Sequence, residues 1–143
     1  MRHLIAALLC LFLCTHTSIS DANSIDCDSA DQAASNVNSW HGLRVWFESY
    51  PGCDDGGIAE TLAEFITSTL AHRWNTLPEF GAEVNYNSHF LNFVIRHLGG
   101  AECNDNRDIV LNAERYCNQE FEPICKAISR AARSGAVKDC LPK

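Results

Sequence analysis

Apolar residues recur along most of this chain at helical spacing. From Trp40 they fall at Leu43, Trp46, Phe47 and Tyr50, and Pro51-Gly52 closes the segment. After a polar turn at residues 53–57, Ile58, Leu62, Phe65, Ile66 and Leu70 line one face of a second helix, with Thr61, Glu64 and Ser68 between them. Asn75-Thr76-Leu77-Pro78 breaks that helix, and a short, weaker turn of helix is predicted over 78–84. Ser88 is the expected N-cap of a helix over 89–98 that turns Phe90, Leu91, Val94, Ile95 and Leu98 inward and ends at Gly99-Gly100. Asn104 or Asn106 is expected to cap the helix carrying Ile109, Val110, Ala113 and Tyr116. Pro123 opens the last helix, through Ile124, Ile128, Ala131 and Ala132, which Gly135 stops. No stretch alternates with period two between hairpin turns. The pattern therefore predicts an all-α fold of about five helices around one core.

The start of the chain reads differently. Arg2 precedes an uncharged, almost wholly apolar run over residues 4–14, and Ser18-Ile19-Ser20 supplies small residues at a cleavage position. Residues 1–20 are therefore expected to be a signal peptide, and 21–143 a single exported helical domain, periplasmic or secreted. The run is too short to span a bilayer. The absence of any N-x-S/T sequon favours a bacterial periplasm.

Removing residues 1–20 takes Cys10 and Cys14 with it and leaves Cys27, Cys53, Cys103, Cys117, Cys125 and Cys140. Six cysteines in an exported chain imply three disulfides stapling the domain. Cys117 and Cys125, close in sequence around Pro123, are the expected pair. A Cys27–Cys53 bond requires the chain to double back, and the other pairings stay open. No C-x2-C or H-x3-H spacing occurs, so no metal and no cofactor are expected.

Charge sharpens the picture. The 143 residues carry a formal charge of −7, which argues against a nucleic-acid partner. Residues 21–64 hold nine acidic side chains against the single cation Arg44, whereas 65–143 are balanced. Such a half is suited to steering a basic protein partner. The acidic turn holds Asp54, Asp55 and Glu60, where Asp55 is expected to cap the following helix. Arg73 and Trp74 stand together at the end of that helix, a pairing suited to an interface. These five are the expected binding residues. Trp40 and Trp46, about 120° apart on a helix, do not share a face, so one of them is expected at the surface.

No G-x-S-x-G elbow, P-loop or H-E-x-x-H occurs, so no catalytic residue is assigned. The leading expectation is a non-catalytic binding protein, an inhibitor of a periplasmic enzyme. The alternatives are a carrier of a small apolar ligand lined by Trp46, Phe65, Phe90 and Phe93, and an unrecognised envelope hydrolase dependent on His72 or His97.

Cys53-Asp54-Asp55-Gly56-Gly57-Ile58-Ala59-Glu60, with Arg73-Trp74-Asn75-Thr76-Leu77-Pro78 and Phe93-Val94-Ile95-Arg96-His97, resembles a family of small exported bacterial proteins of unassigned activity. The likeness spans about residues 38–98. In architecture and size the chain is also similar to the periplasmic immunity proteins that block type VI amidase effectors. The first likeness implies export; the second implies inhibition of an enzyme by direct binding. Neither carries a role for an individual residue.

Overall fold

The computed structural model describes residues 26–100 and 103–135. The signal-peptide expectation and Cys140 lie outside the described residues. Within them the chain is all-helical and has no strand. Seven helices run in order: α1 (Cys27–Ala34), α2 (Trp40–Ser49), α3 (Gly56–His72), α4 (Leu77–Tyr86), α5 (Ser88–Arg96), α6 (Cys103–Arg115) and α7 (Glu122–Gly135). Short 3-10 turns at Trp74–Thr76, His97–Gly100 and Gln119–Phe121 precede α4, follow α5 and precede α7.

The longest helix, α3, is the centre because its Leu62, Ile66 and Leu70 repeat every four residues and are buried along their whole length. It packs against α1 on one side and α6 on the other, while α7 lies on α6 and α5. An aromatic cluster fills the space between α2, α4 and α5. Phe47 and Phe93 have ring centroids 4.8 Å apart, Phe80 and Phe90 5.9 Å, and Trp40 and Phe80 4.6 Å.

The described residues form seven helices, not about five, and depart from the sequence pattern at several further points. Helix α1 has no counterpart in the apolar pattern, because its buried face consists only of Ala30 and Ala34. Its start is set by Asp26, whose carboxylate accepts from the Asp28 N–H at 3.1 Å and from the Ser29 hydroxyl. That cap holds the Asp26 carboxyl below its ordinary range, chiefly through Ser29. Asn87, not Ser88, caps α5 and accepts from the His89 N–H at 3.0 Å. Asn104 and Asn106 lie inside α6. Asp55 occupies the N-cap position of α3 but makes no side-chain cap bond. The sharp turn ahead of α3 instead rests on Gly52 (φ 95°) and Gly56 (φ 47°), where a Cβ would be strained. Both tryptophans are buried: Trp40 is 1% and Trp46 3% exposed.

Two disulfides lie within the described residues. Cys117 is bonded to Cys125, as the spacing predicts, and Cys27 to Cys53, because α1 and α2 fold back on one another. Cys103 is also disulfide-bonded. The Cys117–Cys125 bond closes the corner between α6 and α7 over a separation of 8 residues. For a loop of that length, chain entropy assigns it about 2.5 kcal/mol. A Cys117→Ser, Cys125→Ser chain is therefore expected to lose about that much in urea unfolding. A loss under about 0.5 kcal/mol would show the corner to be held by packing alone.

Candidate functional site

The five expected binding residues sit at the two ends of α3, about 25 Å apart for 17 residues. They do not form one cluster. At the N-terminal end Asp54 is engaged within the fold. Its Oδ1 lies 2.9 Å from Nε2 of buried His97, and its Oδ2 lies 3.7 Å from Arg96. Nδ1 of His97 lies 2.9 Å from the Phe93 carbonyl, so both ring nitrogens face oxygen acceptors. This contact ties the acidic turn to the end of α5 and leaves the ring no free nitrogen for a substrate. His72 is exposed, and its Nε2 meets Asp105 at 3.1 Å. Asp55 and Glu60 are exposed at this end, as are Asp28 and Asp31 on α1 and Glu64 halfway along α3, so most of the excess negative charge of the N-terminal half faces solvent.

The C-terminal end of α3 is built more elaborately. Arg73 leaves helical geometry (φ −127°, ψ 43°) and a 3-10 turn carries the chain into α4. The Thr76 hydroxyl fixes that turn: it accepts from the Trp40 indole N–H at 2.9 Å and donates to the Arg73 carbonyl at 2.8 Å. Leu77 is buried beneath the turn, and Pro78 enters the first turn of α4, where its missing N–H is not needed. Arg73 and Trp74 then diverge. Arg73 donates to Thr69 Oγ1 at 2.5 Å, and its guanidinium stands 5.5 Å from the Phe65 ring centroid. It lines a hollow of about 260 Å³ with Val37, Glu64 and Phe65.

Trp74 lines a different hollow, of about 190 Å³, with Leu77, Pro78, Tyr116 and Phe121. Its indole N–H donates to the Tyr116 carbonyl at 3.2 Å. Tyr116, expected on the inward face of the α6 pattern, lies just beyond the helix end and is 68% exposed. Its N–H donates to the Asn112 carbonyl at 2.9 Å, and the next residue is disulfide-bonded Cys117. Asn112 in turn donates to the Leu70 and Ala71 carbonyls at 3.0 and 2.9 Å, joining the corner to the end of α3. A large exposed ring is thus carried on backbone fixed from both sides. Sequence periodicity misses this because Tyr116 continues the apolar spacing of α6 although the helix itself stops at Arg115.

A second cluster joins α2 to α4. Buried Arg44 donates from Nε to Glu83 Oε2 at 2.5 Å and pairs with Glu48, while Tyr86 stacks on its guanidinium at 4.1 Å. His41 Nδ1 lies 3.2 Å from the other Glu83 oxygen. The Glu83 hydrogen bond raises the Arg44 pKa, so the guanidinium stays charged. Burial alone pushes the Glu83 carboxyl up, but hydrogen bonds from Arg44 and His41 outweigh it and hold the carboxyl below its ordinary value. The lone cation of the acidic half is thus a clamp between helices.

Of the aromatics expected to line a ligand cavity, Phe65 packs edge-on to Trp40 and lines the Arg73 hollow, while Trp46, Phe90 and Phe93 are packed against one another. Trp46 and Phe93 are 6.2 Å apart and Phe90 and Phe93 6.1 Å, and all three are buried. Among the described residues no three His, Cys, Asp or Glu side chains are grouped to hold a metal ion, and no helix is long and apolar enough to cross a membrane. Compared with known proteins, the chain matches no protein family, no curated protein and no solved structure.

Proposed function

We propose that this chain is an exported, non-catalytic binding protein that docks an enzyme of the cell envelope and inhibits it, using the surface around Trp74 and Tyr116. The observation that carries this reading is the Tyr116 ring: largely exposed, yet mounted on backbone held by Trp74, Asn112 and the Cys117–Cys125 corner. An aromatic anchor whose backbone is already fixed in the free protein has less conformational freedom to lose on binding. The adjoining hollow of about 190 Å³, walled by Trp74, Pro78 and Phe121, suits one apolar side chain of the partner. Disulfides accord with an oxidising compartment.

The other expected residues take separate roles. Asp55 and Glu60 lie at the far end of α3 and, with exposed Asp28, Asp31 and Glu64, act at a distance, drawing in a partner with a basic face. Asp54 positions the acidic turn through His97, and Arg73 shapes the end of α3 through Thr69.

With the oxidised, exported chain as bait in envelope extract, Tyr116→Ala is expected to weaken the captured complex about 30-fold, near 2 kcal/mol, with unchanged thermal unfolding. Tyr116→Phe is expected to retain most of the affinity. Asp55→Lys with Glu60→Lys is expected to slow association and flatten its salt dependence while leaving dissociation alone. Parental affinity in Tyr116→Ala would remove this surface from the interface.

A further inference from the structure

An open groove of about 560 Å³ lies between α6 and α7, lined in part by the Cys117–Cys125 corner. We infer that this groove is a ligand site of its own, and that it takes a small amphiphile with an anionic head, of the fatty-carboxylate kind.

The packing of α7 explains why the groove exists. Ile124, Ile128 and Ala132 turn to the core, while Ala113 of α6 and Ser129 of α7 are too small to fill the space on the outer side of the helix pair. The floor is the Ala113 methyl and the sulfurs of the Cys117–Cys125 bond, neither of which offers a strong hydrogen-bond donor. The aliphatic stems of Lys126 and Arg130 extend that apolar surface to the rim. A volume of this size lies within the range of ordinary small-molecule sites, roughly 300–1,000 Å³.

The charges at the rim choose the head group. Lys126, Arg130 and Arg133 stand four and three residues apart and so share one side of α7. Two carboxylates oppose them, and both are already engaged. Glu114 receives Arg133 and the Ser129 hydroxyl, and Glu122 receives Lys126 at 2.7 Å, which holds the Glu122 carboxyl below its ordinary range. Among the described residues Arg130 is the one of these three cations that pairs with no carboxylate, and it is exposed at the edge of an apolar channel in a chain whose net charge is −7. A guanidinium in that position suits a carboxylate, which it grips through two parallel hydrogen bonds, with the alkyl chain lying along the floor.

The inference does not rest on the docking surface, and its test is separate from that surface. The oxidised chain is titrated with two fluorescent probes of similar shape, anionic 8-anilinonaphthalene-1-sulfonate and uncharged N-phenyl-1-naphthylamine. One saturable site for the anionic probe is expected, emptied by dodecanoate. Arg130→Glu, on an exposed helix position, is expected to weaken the anionic probe by about tenfold or more and the uncharged one by less than about twofold. Ser129→Trp, which fills the groove, is expected to abolish both. Failure of either probe to saturate, equal anionic-probe affinity in Arg130→Glu and the parent, or a bound probe that dodecanoate does not displace would each overturn the assignment.

Discussion

Trp46→Ala is expected to cost about 3–5 kcal/mol of folding stability, and Trp40→Ala as much. Against a total of roughly 5–15 kcal/mol, either loss leaves a marginal fold. Each ring is large, buried and held by its own hydrogen bond, and the two stand about 120° apart around α2. Trp46 reaches toward α1 and α5, donating to the Ala30 carbonyl at 2.9 Å with its ring centroid 6.2 Å from that of Phe93. Trp40 reaches toward α3 and α4, edge-on to Phe65 at 5.7 Å, close to Phe80 and hydrogen-bonded to Thr76. Alanine at either position opens a cavity that fixed helices cannot collapse into. Urea midpoints of the two variants measure this. A cost below about 1 kcal/mol for one of them would mean that α2 buries one face only.

That pair shows how far the sequence was legible. The 120° between Trp40 and Trp46 was visible, but reading it as one buried and one exposed ring assumes a helix at the edge of a bundle. Residues 26–34 carry no helix in the sequence reading, because a helix that presents only Ala30 and Ala34 to the core leaves almost no periodic trace. Once α1 covers the far side of α2, both rings are inside. Longer helices with Leu and Ile every four residues, α3 above all, were legible throughout. Helix ends were less so: Asn87 and Ser88 are both good caps, and backbone geometry decides between them.

The site was legible in part. Arg73-Trp74 stood out by residue type, but the divergence of the two side chains depends on the Thr76 hydroxyl, which answers to Trp40, 36 residues earlier. Tyr116 and the α6–α7 groove depend on where α6 stops and how α7 returns, and neither leaves a local pattern. Asp54 looked like its neighbours Asp55 and Glu60, and its pairing with His97 crosses 43 residues.

Glu83→Ala is the second change of large expected effect, at about 3 kcal/mol near neutral pH. It strips a buried guanidinium of its main partner, and breaking one side of such a pair typically costs about 3–5 kcal/mol. Glu48 remains to hold Arg44, which sets the expectation at the low end. Replacing Arg44 and Glu83 together with Met is expected to recover most of the loss, since no charge is then left buried. The pH dependence follows from the carboxyl. Its folded pKa lies below the ordinary 4.5, so its contribution is full above 4.5 and is lost as pH falls through the lower folded value. The gap between parent and Glu83→Gln should therefore narrow in acid. A gap that is constant with pH, or a double variant no better than Glu83→Ala, would show that the clamp contributes no electrostatic stability.

The central claim is that the fold presents Trp74 and Tyr116 to a protein partner, and site-specific photocrosslinking in the cell that makes the protein tests it most directly. A benzophenone amino acid is placed at Tyr116, at Asn75, at Glu60 and at Asn85, all exposed. The account predicts one adduct of a second polypeptide at 116 and 75, absent at 85 and weak at 60. Adducts confined to position 60, or none at 116, would contradict it.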